Sequence, residues 1–324
     1  MTAARLALLA LGLVFLGYMV AEVGPFALLT PVQALSWRLL VVIAFPFALM
    51  TALDTLGWRY AFRRDAAPFS TLVSARLAGE AFNITTPTAT VGGEPVKAYL
   101  LRHKVPLEEG FASVVVAKTT IALAQGVFLA VGIAVALFTL PAQSGLLRVM
   151  LWLLVLGAVA LAAFVLAQRK GLFGGSLRLL RGIGLSWGAR KEEPLRRLDS
   201  ALSVFYREHR GRLGLSLLFH FCGWVMGSLE VYLILTFMGI PVSLTTALVI
   251  EAFSTAIKSA AFLIPAGIGA TEGGNIAIFL TFGLGAGVGL SFSLVRRLRE
   301  MAWVAVGLIA LAAFRTARPG SLTA

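Results

Sequence analysis

Apolar residues gather in long runs along this chain, and the windows free of charge set the pattern. Lys118 and Arg148 enclose 29 uncharged residues, Arg148 and Arg169 enclose 20, and Glu272 and Arg296 enclose 23. A helix needs about 20 mostly apolar residues to cross a bilayer. With the other apolar runs, the pattern predicts six spanning helices at about 5–23, 32–58, 108–139, 147–167, 212–239 and 287–313. The first run has a signal-peptide look, since Arg5 precedes it. Its end, Ala21-Glu22-Val23, puts a carboxylate where cleavage needs small residues, so it reads as a retained helix.

Two stretches, about 69–102 and 247–283, fit neither spans nor loops. Each is a helical pattern broken near its middle by Pro and Gly and then resumed. A shift of 178 residues superimposes them: Pro87 falls on Pro265, Glu94 on Glu272 and Lys118 on Arg296, and the flanking spans overlap as well. Four features sharing one offset point to an internal repeat, with repeat 1 at about 32–139 and repeat 2 at about 212–313.

Composition removes the soluble alternatives. Of 324 residues, 59% are hydrophobic and 13% charged, with mean hydropathy +0.89. Ordinary globular domains carry about 25% charged residues. The expected fold class is therefore an all-α polytopic membrane protein, a single membrane domain over 1–324 with a basic linker at about 168–211. The lone Cys222 closes no bridge within the chain. An excess of 28 Lys and Arg over 15 Asp and Glu is read as cytoplasmic loops beside anionic lipid, not as a nucleic-acid surface.

The distribution of that excess gives an orientation. Arg59, Arg63 and Arg64 follow the second span, Arg102 and Lys104 precede the third, and eleven Lys or Arg lie from 169 to 212. The loops at about 24–31, 140–146 and 240–246 have none. The positive-inside rule then puts both termini in the cytoplasm, with the chain expected in a bacterial inner membrane. It also turns the two repeats upside down relative to each other, each broken segment being a re-entrant hairpin. Segment 190–210, with Leu195, Leu198, Leu202 and Phe205 at helical spacing, reads as an amphipathic helix on the membrane surface or as a solvated linker helix.

Charges inside spans are costly and need a partner or a wet cavity. The first half carries Arg76, Glu80, Asn83, Glu94, Lys97 and Lys118. The second carries Glu230, Glu251, Lys258, Glu272, Arg296, Arg297, Arg299 and Glu300. Two readings stand for the basic residues: internal ion pairs, or forks for the phosphate of a lipid headgroup. Two also stand for Glu94, in Gly92-Gly93-Glu94-Pro95, and for Glu272. Each either caps a helix or binds a proton, a cation or a transported amine where the broken helices meet. His103, His209 and His220 show no metal-ligand spacing and are expected near the cytoplasmic face.

The residues from Asn83 to Pro87, Gly92-Gly93-Glu94-Pro95-Val96-Lys97, and Ile264-Pro265-Ala266-Gly267-Ile268-Gly269-Ala270-Thr271-Glu272 carry a family resemblance. The chain resembles the flippase-like membrane domain of lysylphosphatidylglycerol synthase/flippase proteins, a family with hopanoid-associated, HpnL-like members, over roughly 5–315. The resemblance implies movement of a lipid between leaflets. Lys118 stands where it implies an arginine. Members that transfer amino acids carry a soluble catalytic domain after the membrane part, and none is expected here, where Ala324 follows shortly after the last expected span.

The expectation is a lipid flippase, not an enzyme. Lys118, Arg296, Arg297, Arg299, Lys97 and Arg76 are the expected substrate-binding residues. Glu94, Glu272, Gly92, Gly93, Asn83, Pro87, Pro265, Glu80 and Lys258 make up the coupling and helix-break motif. No cofactor or metal is expected; the expected partner is an anionic or phosphate-bearing lipid, with self-association left open. The alternatives are an accessory subunit of lipid or envelope assembly and a small-molecule or ion carrier.

Overall fold

The computed structural model describes residues 35–85, 92–140, 144–169 and 189–316. The expected first span, Pro87, and the part of the linker from 170 to 188 lie outside them. The described residues form ten α-helices: α1 Arg38–Tyr60, α2 Phe69–Thr85, α3 Gly93–Leu100, α4 Leu107–Thr139, α5 Gly145–Arg169, α6 Ala189–Glu208, α7 Arg210–Phe237, α8 Leu244–Ala260, α9 Ala270–Thr281 and α10 Ala286–Thr316. Four of them, α1, α4, α5 and α7, are long and apolar enough to cross a membrane. The expected span at 287–313 does form one helix, α10, but Arg296, Arg297, Arg299 and Glu300 at its middle keep it out of that group.

Local chemistry sets the breaks. Ser243 caps α8 by accepting the Thr246 N–H at 3.0 Å. Between α8 and α9 the chain makes a 3-10 turn, Pro265–Gly267, with Ala266, Gly267 and Gly269 all at positive φ. Glycine takes that conformation freely, whereas Ala266 at φ 52° is strained. In the first half, α2 and α3 fold back on each other so closely that a Cβ on Gly93 would run into the Gly79 carbonyl.

The shift of 178 carries α1, α2, α3 and α4 onto α7, α8, α9 and α10, within six residues at every end. Packing follows the same exchange. Helix α1 lies along α7, α2 packs on α10, and its counterpart α8 packs on α4. Glycines open both crossings: Gly307 of α10 meets the Leu77 carbonyl of α2, and Gly132 of α4 meets Ala252 of α8. One apolar core joins the second half to the end of α4 (Phe128, Ile133, Ile234, Phe253, Phe279, Phe292). The other joins the end of α1, the start of α2 and the end of α3 to the start of α4.

Helix α6 departs from both readings of segment 190–210. Leu198, Leu202 and Phe205 are buried against Trp58, Phe62, Ala112 and Val116, so the apolar face is covered by protein rather than by lipid or water. Its Tyr206 hydroxyl donates to Gln168 of α5, and Gln168 donates to Thr119 of α4 at 3.0 Å.

Candidate functional site: two repeat-related polar pockets

Two small polar pockets lie in the two halves. Arg76, Glu80, Glu94, Lys97, Lys118 and His220 are among the residues lining the first. Ser254, Lys258, Glu272, Asn275, Arg296 and Arg297 are among those lining the second. Five pairs are related by 178: Arg76 with Ser254, Glu80 with Lys258, Glu94 with Glu272, Lys97 with Asn275, and Lys118 with Arg296. Their volumes are about 20 and 40 Å³, room for water but not for a headgroup.

In the first pocket, the Lys118 ammonium of α4 sits 2.7 Å from Glu94 of α3. Lys97 bridges Glu80 at 2.7 Å and Glu94 at 3.2 Å. Arg76 of α2 donates to Asp54 of α1 at 2.8 Å. Glu94 lies in the first turn of α3, but Asn83 takes the Gly93 N–H at 2.6 Å. Glu94 instead faces lysines. The arrangement sets three cations against three carboxylates, Asp54 included.

In the second pocket, Arg296 closes on both oxygens of Glu251 at 2.8 and 3.1 Å and reaches Glu230 at 3.4 Å. Arg297 donates to Glu272 at 2.8 Å and to Glu300 at 3.1 Å, and Glu300 also pairs with Lys258. Glu272 does cap its helix, accepting the Gly269 N–H at 2.7 Å. Three arginines crowded onto one helix thus find acids on three others, α7, α8 and α9. In and beside this pocket four cations face four carboxylates.

Not every expected residue reaches a pocket. Arg299 is buried beside Glu230 at 3.1 Å and over the Phe47 ring at 4.5 Å, lining neither. Asn83, Gly92 and Gly93 shape the α2–α3 turn rather than the pocket wall. Among the cations lining the two pockets, the most exposed are Lys118, whose side chain is 42% exposed, and Lys258, at 55%.

Sequence reasoning assigned neither Asp54 nor His220 to the site, though His220 lines the first pocket. His220 lies ten residues inside α7 and is 1% exposed, with Nδ1 3.1 Å from Asp54. Glycines make room on both sides. A Cβ on Gly57 of α1 would come within 2.6 Å of the imidazole, and one on Gly223 of α7 within 2.8 Å of the Asp54 carboxylate. The available signal was a carboxylate at 54 and a histidine at 220 inside apolar runs, each three residues before a glycine.

In the two pockets each guanidinium among the described residues already faces a carboxylate, which leaves no open arginine fork there. An arriving phosphate oxygen must displace a carboxylate from an arginine fork or bind at the accessible lysines. Either step needs the local charge to be rebalanced.

Comparison with known proteins follows the same lines. Residues 3–309 match the family model for the lysylphosphatidylglycerol synthase TM region. A UPF0104 membrane protein of Methanothermobacter thermautotrophicus is 28% identical over 253 residues, covering 74% of this chain and 73% of that protein. No solved structure matches. The chain is a membrane protein and belongs to the lysylphosphatidylglycerol synthase transmembrane-region family.

Proposed function

We propose that the protein moves an anionic or phosphate-bearing lipid between the leaflets of a bacterial inner membrane, without covalent chemistry of its own. The observation that carries this reading is the pairing of five pocket positions across one offset. Two similar polar pockets in two similar halves suit a path entered from either side. Both termini face the cytoplasm in this reading, α1 and α7 run in opposite directions, and α2–α3 and α8–α9 are re-entrant hairpins. Inverted repeats with broken helices place substrate near the bilayer midplane. The family name points to lipid as the class of substrate. A phosphate crossing hydrocarbon alone loses its hydration at a cost of several kcal/mol or more. Lys118 in the first pocket and Lys258 in the second, both partly exposed, offer it point charges, and Arg296 and Arg297 line the second pocket with Lys258.

Pocket volumes of about 20 and 40 Å³ favour a second reading, a carrier of small ions. Mass spectrometry of lipids retained by the purified protein separates the two. Enrichment of an anionic lipid over the membrane's composition, reduced by Lys118→Gln, supports the lipid reading. No enrichment, together with uptake of a small anion into protein-loaded vesicles, replaces it with the ion carrier.

A further inference from the structure

We infer that His220 and Asp54 form a proton-binding site, which takes up a proton together with a phosphate-bearing anion at the first pocket. The inference rests on the anionic-substrate reading above. It begins from one unpartnered atom. Nδ1 of His220 donates to Asp54, while Nε2 is buried with no hydrogen-bond partner among the described residues. A buried polar atom without a partner costs about 1–3 kcal/mol. The imidazole is part of the pocket wall, so the cost falls on the pocket itself.

Charge arithmetic then assigns a role. Around His220 stand Asp54 of α1, Arg76 and Glu80 of α2, Glu94 and Lys97 of α3, and Lys118 of α4. With a neutral imidazole these sum to zero. Elements packed further along α7 are balanced among themselves: Glu251 of α8 and Arg296 and Arg299 of α10 meet at Glu230. Near its start, Arg212 pairs with Asp65, and Tyr206 of α6 bonds to Gln168 and Thr119. A monoanion settling among Lys118, Lys97 and Arg76 leaves this neutral region one negative charge in excess. The three carboxylates already have cations as partners, whereas Nε2 has none, so it is the atom ready to take the balancing proton. The product is an imidazolium that keeps its bond to Asp54 through Nδ1–H and carries a new N–H at Nε2.

The histidine pair is not repeated in the second pocket, whose lining holds no histidine. The shift of 178 relates His220 to Val42 and Asp54 to Tyr232. Proton uptake at a His–Asp pair therefore belongs to the first half. When the proton taken up with the anion on one side is released with it on the other, a pH difference across the membrane biases the direction of movement.

The test is nitrogen NMR of histidine-labelled, full-length protein in nanodiscs, titrated from about pH 5 to 8. Only His103, His209 and His220 contribute, and His103→Gln and His209→Gln assign them. Three conditions are compared: phosphatidylcholine alone, phosphatidylcholine with inorganic phosphate, and phosphatidylcholine with phosphatidylglycerol. The expected result is that the His220 midpoint rises by at least about one unit more than those of His103 and His209, about tenfold tighter proton binding. Whether phosphate or phosphatidylglycerol produces the rise identifies the source of the anion. A His220 that stays neutral throughout, or moves only in step with the other two, overturns the inference. Native mass spectrometry at pH 6 and 8 separates this failure from that of the parent reading. Phosphatidylglycerol binding that is equal at both pH values overturns proton linkage alone, and no anion binding at either overturns both.

Discussion

Arg296 and Glu251 close a two-pronged ion pair between α10 and α8, with Nη–Oε distances of 2.8 and 3.1 Å and the carboxylate fully buried. The pair ties the charged middle of the last helix to one arm of a broken segment. Removing one partner strands the other charge in the interior, at about 3–5 kcal/mol. Arg296→Gln is therefore expected to lower stability by that amount in detergent unfolding, and adding Glu251→Gln to recover part of it. A double variant no more stable than Arg296→Gln contradicts this.

Helix packing around the first pocket makes a second prediction. Gly57→Ala pushes a methyl group into His220, and Gly223→Ala pushes one into Asp54. Each is expected to cost about 1–3 kcal/mol, as overpacking of a fitted contact does. In a His220→Ala background the Gly57→Ala cost is expected to vanish. A double-mutant cycle on the unfolding midpoint reads this, and purely additive costs contradict the contact.

How legible these features were in the sequence differs by element. The long helices were readable because uninterrupted apolar runs leave the chain one low-cost conformation in a bilayer; α4 at Leu107–Thr139 and α5 at Gly145–Arg169 lie within a few residues of expectation. The breaks were readable because Pro265, Gly267 and Gly269 disfavour helix. Partner identities were not. Glu94 and Glu272 look alike in sequence, yet Asn83 takes the capping role beside one and Glu272 itself takes it beside the other. The repeat partner of Asn83 is Ala261, a difference visible in the chain but meaningless until α2 and α3 fold together. The Asp54–His220 contact joins residues 166 apart on two helices whose contact no local pattern encodes. The apolar stripe of α6 was legible, but not that α1 and α4 cover it.

The contrast between the two glutamates is itself testable. Glu272→Gln weakens a charge-assisted bond from Arg297 and is expected to cost about 1.5–3 kcal/mol. Glu94→Gln weakens pairs with the partly exposed Lys118 and with Lys97, which keeps Glu80 as a partner, and is expected to cost less, with Asn83→Ala costing about 1 kcal/mol through the lost cap. Thermal unfolding of the three variants gives the order, and a larger loss for Glu94→Gln than for Glu272→Gln contradicts the assignment.

Acid sensitivity at the loop between α1 and α2 follows from Asp65. Hydrogen bonds from Arg59 and then Arg212 hold its carboxyl below the ordinary range. A depressed folded value means the stabilisation is present above the unfolded pKa of about 3.9 and is lost as pH falls through the folded value. The carboxylate is half exposed, so water screens the effect and the change is small. Melting curves from neutral pH downward are expected to fall less steeply in Asp65→Asn below about pH 4. An unchanged slope contradicts this.

The central claim is that the two pockets line the route of an anionic lipid, and leaflet exchange in proteoliposomes tests it most directly. Fluorescent phosphatidylglycerol and phosphatidylcholine are followed by quenching from outside, with wild type, Lys118→Arg, Lys118→Gln and the double variant Lys118→Gln with Lys258→Gln. These two lysines are partly exposed, so folded protein is retained more readily than after loss of a buried arginine. The account predicts that phosphatidylglycerol exchange falls at least about tenfold in the double variant, equivalent to about 1.4 kcal/mol of barrier. It also predicts exchange close to wild type in Lys118→Arg and an intermediate rate in Lys118→Gln. Phosphatidylglycerol crossing at the wild-type rate in the folded double variant contradicts the claim.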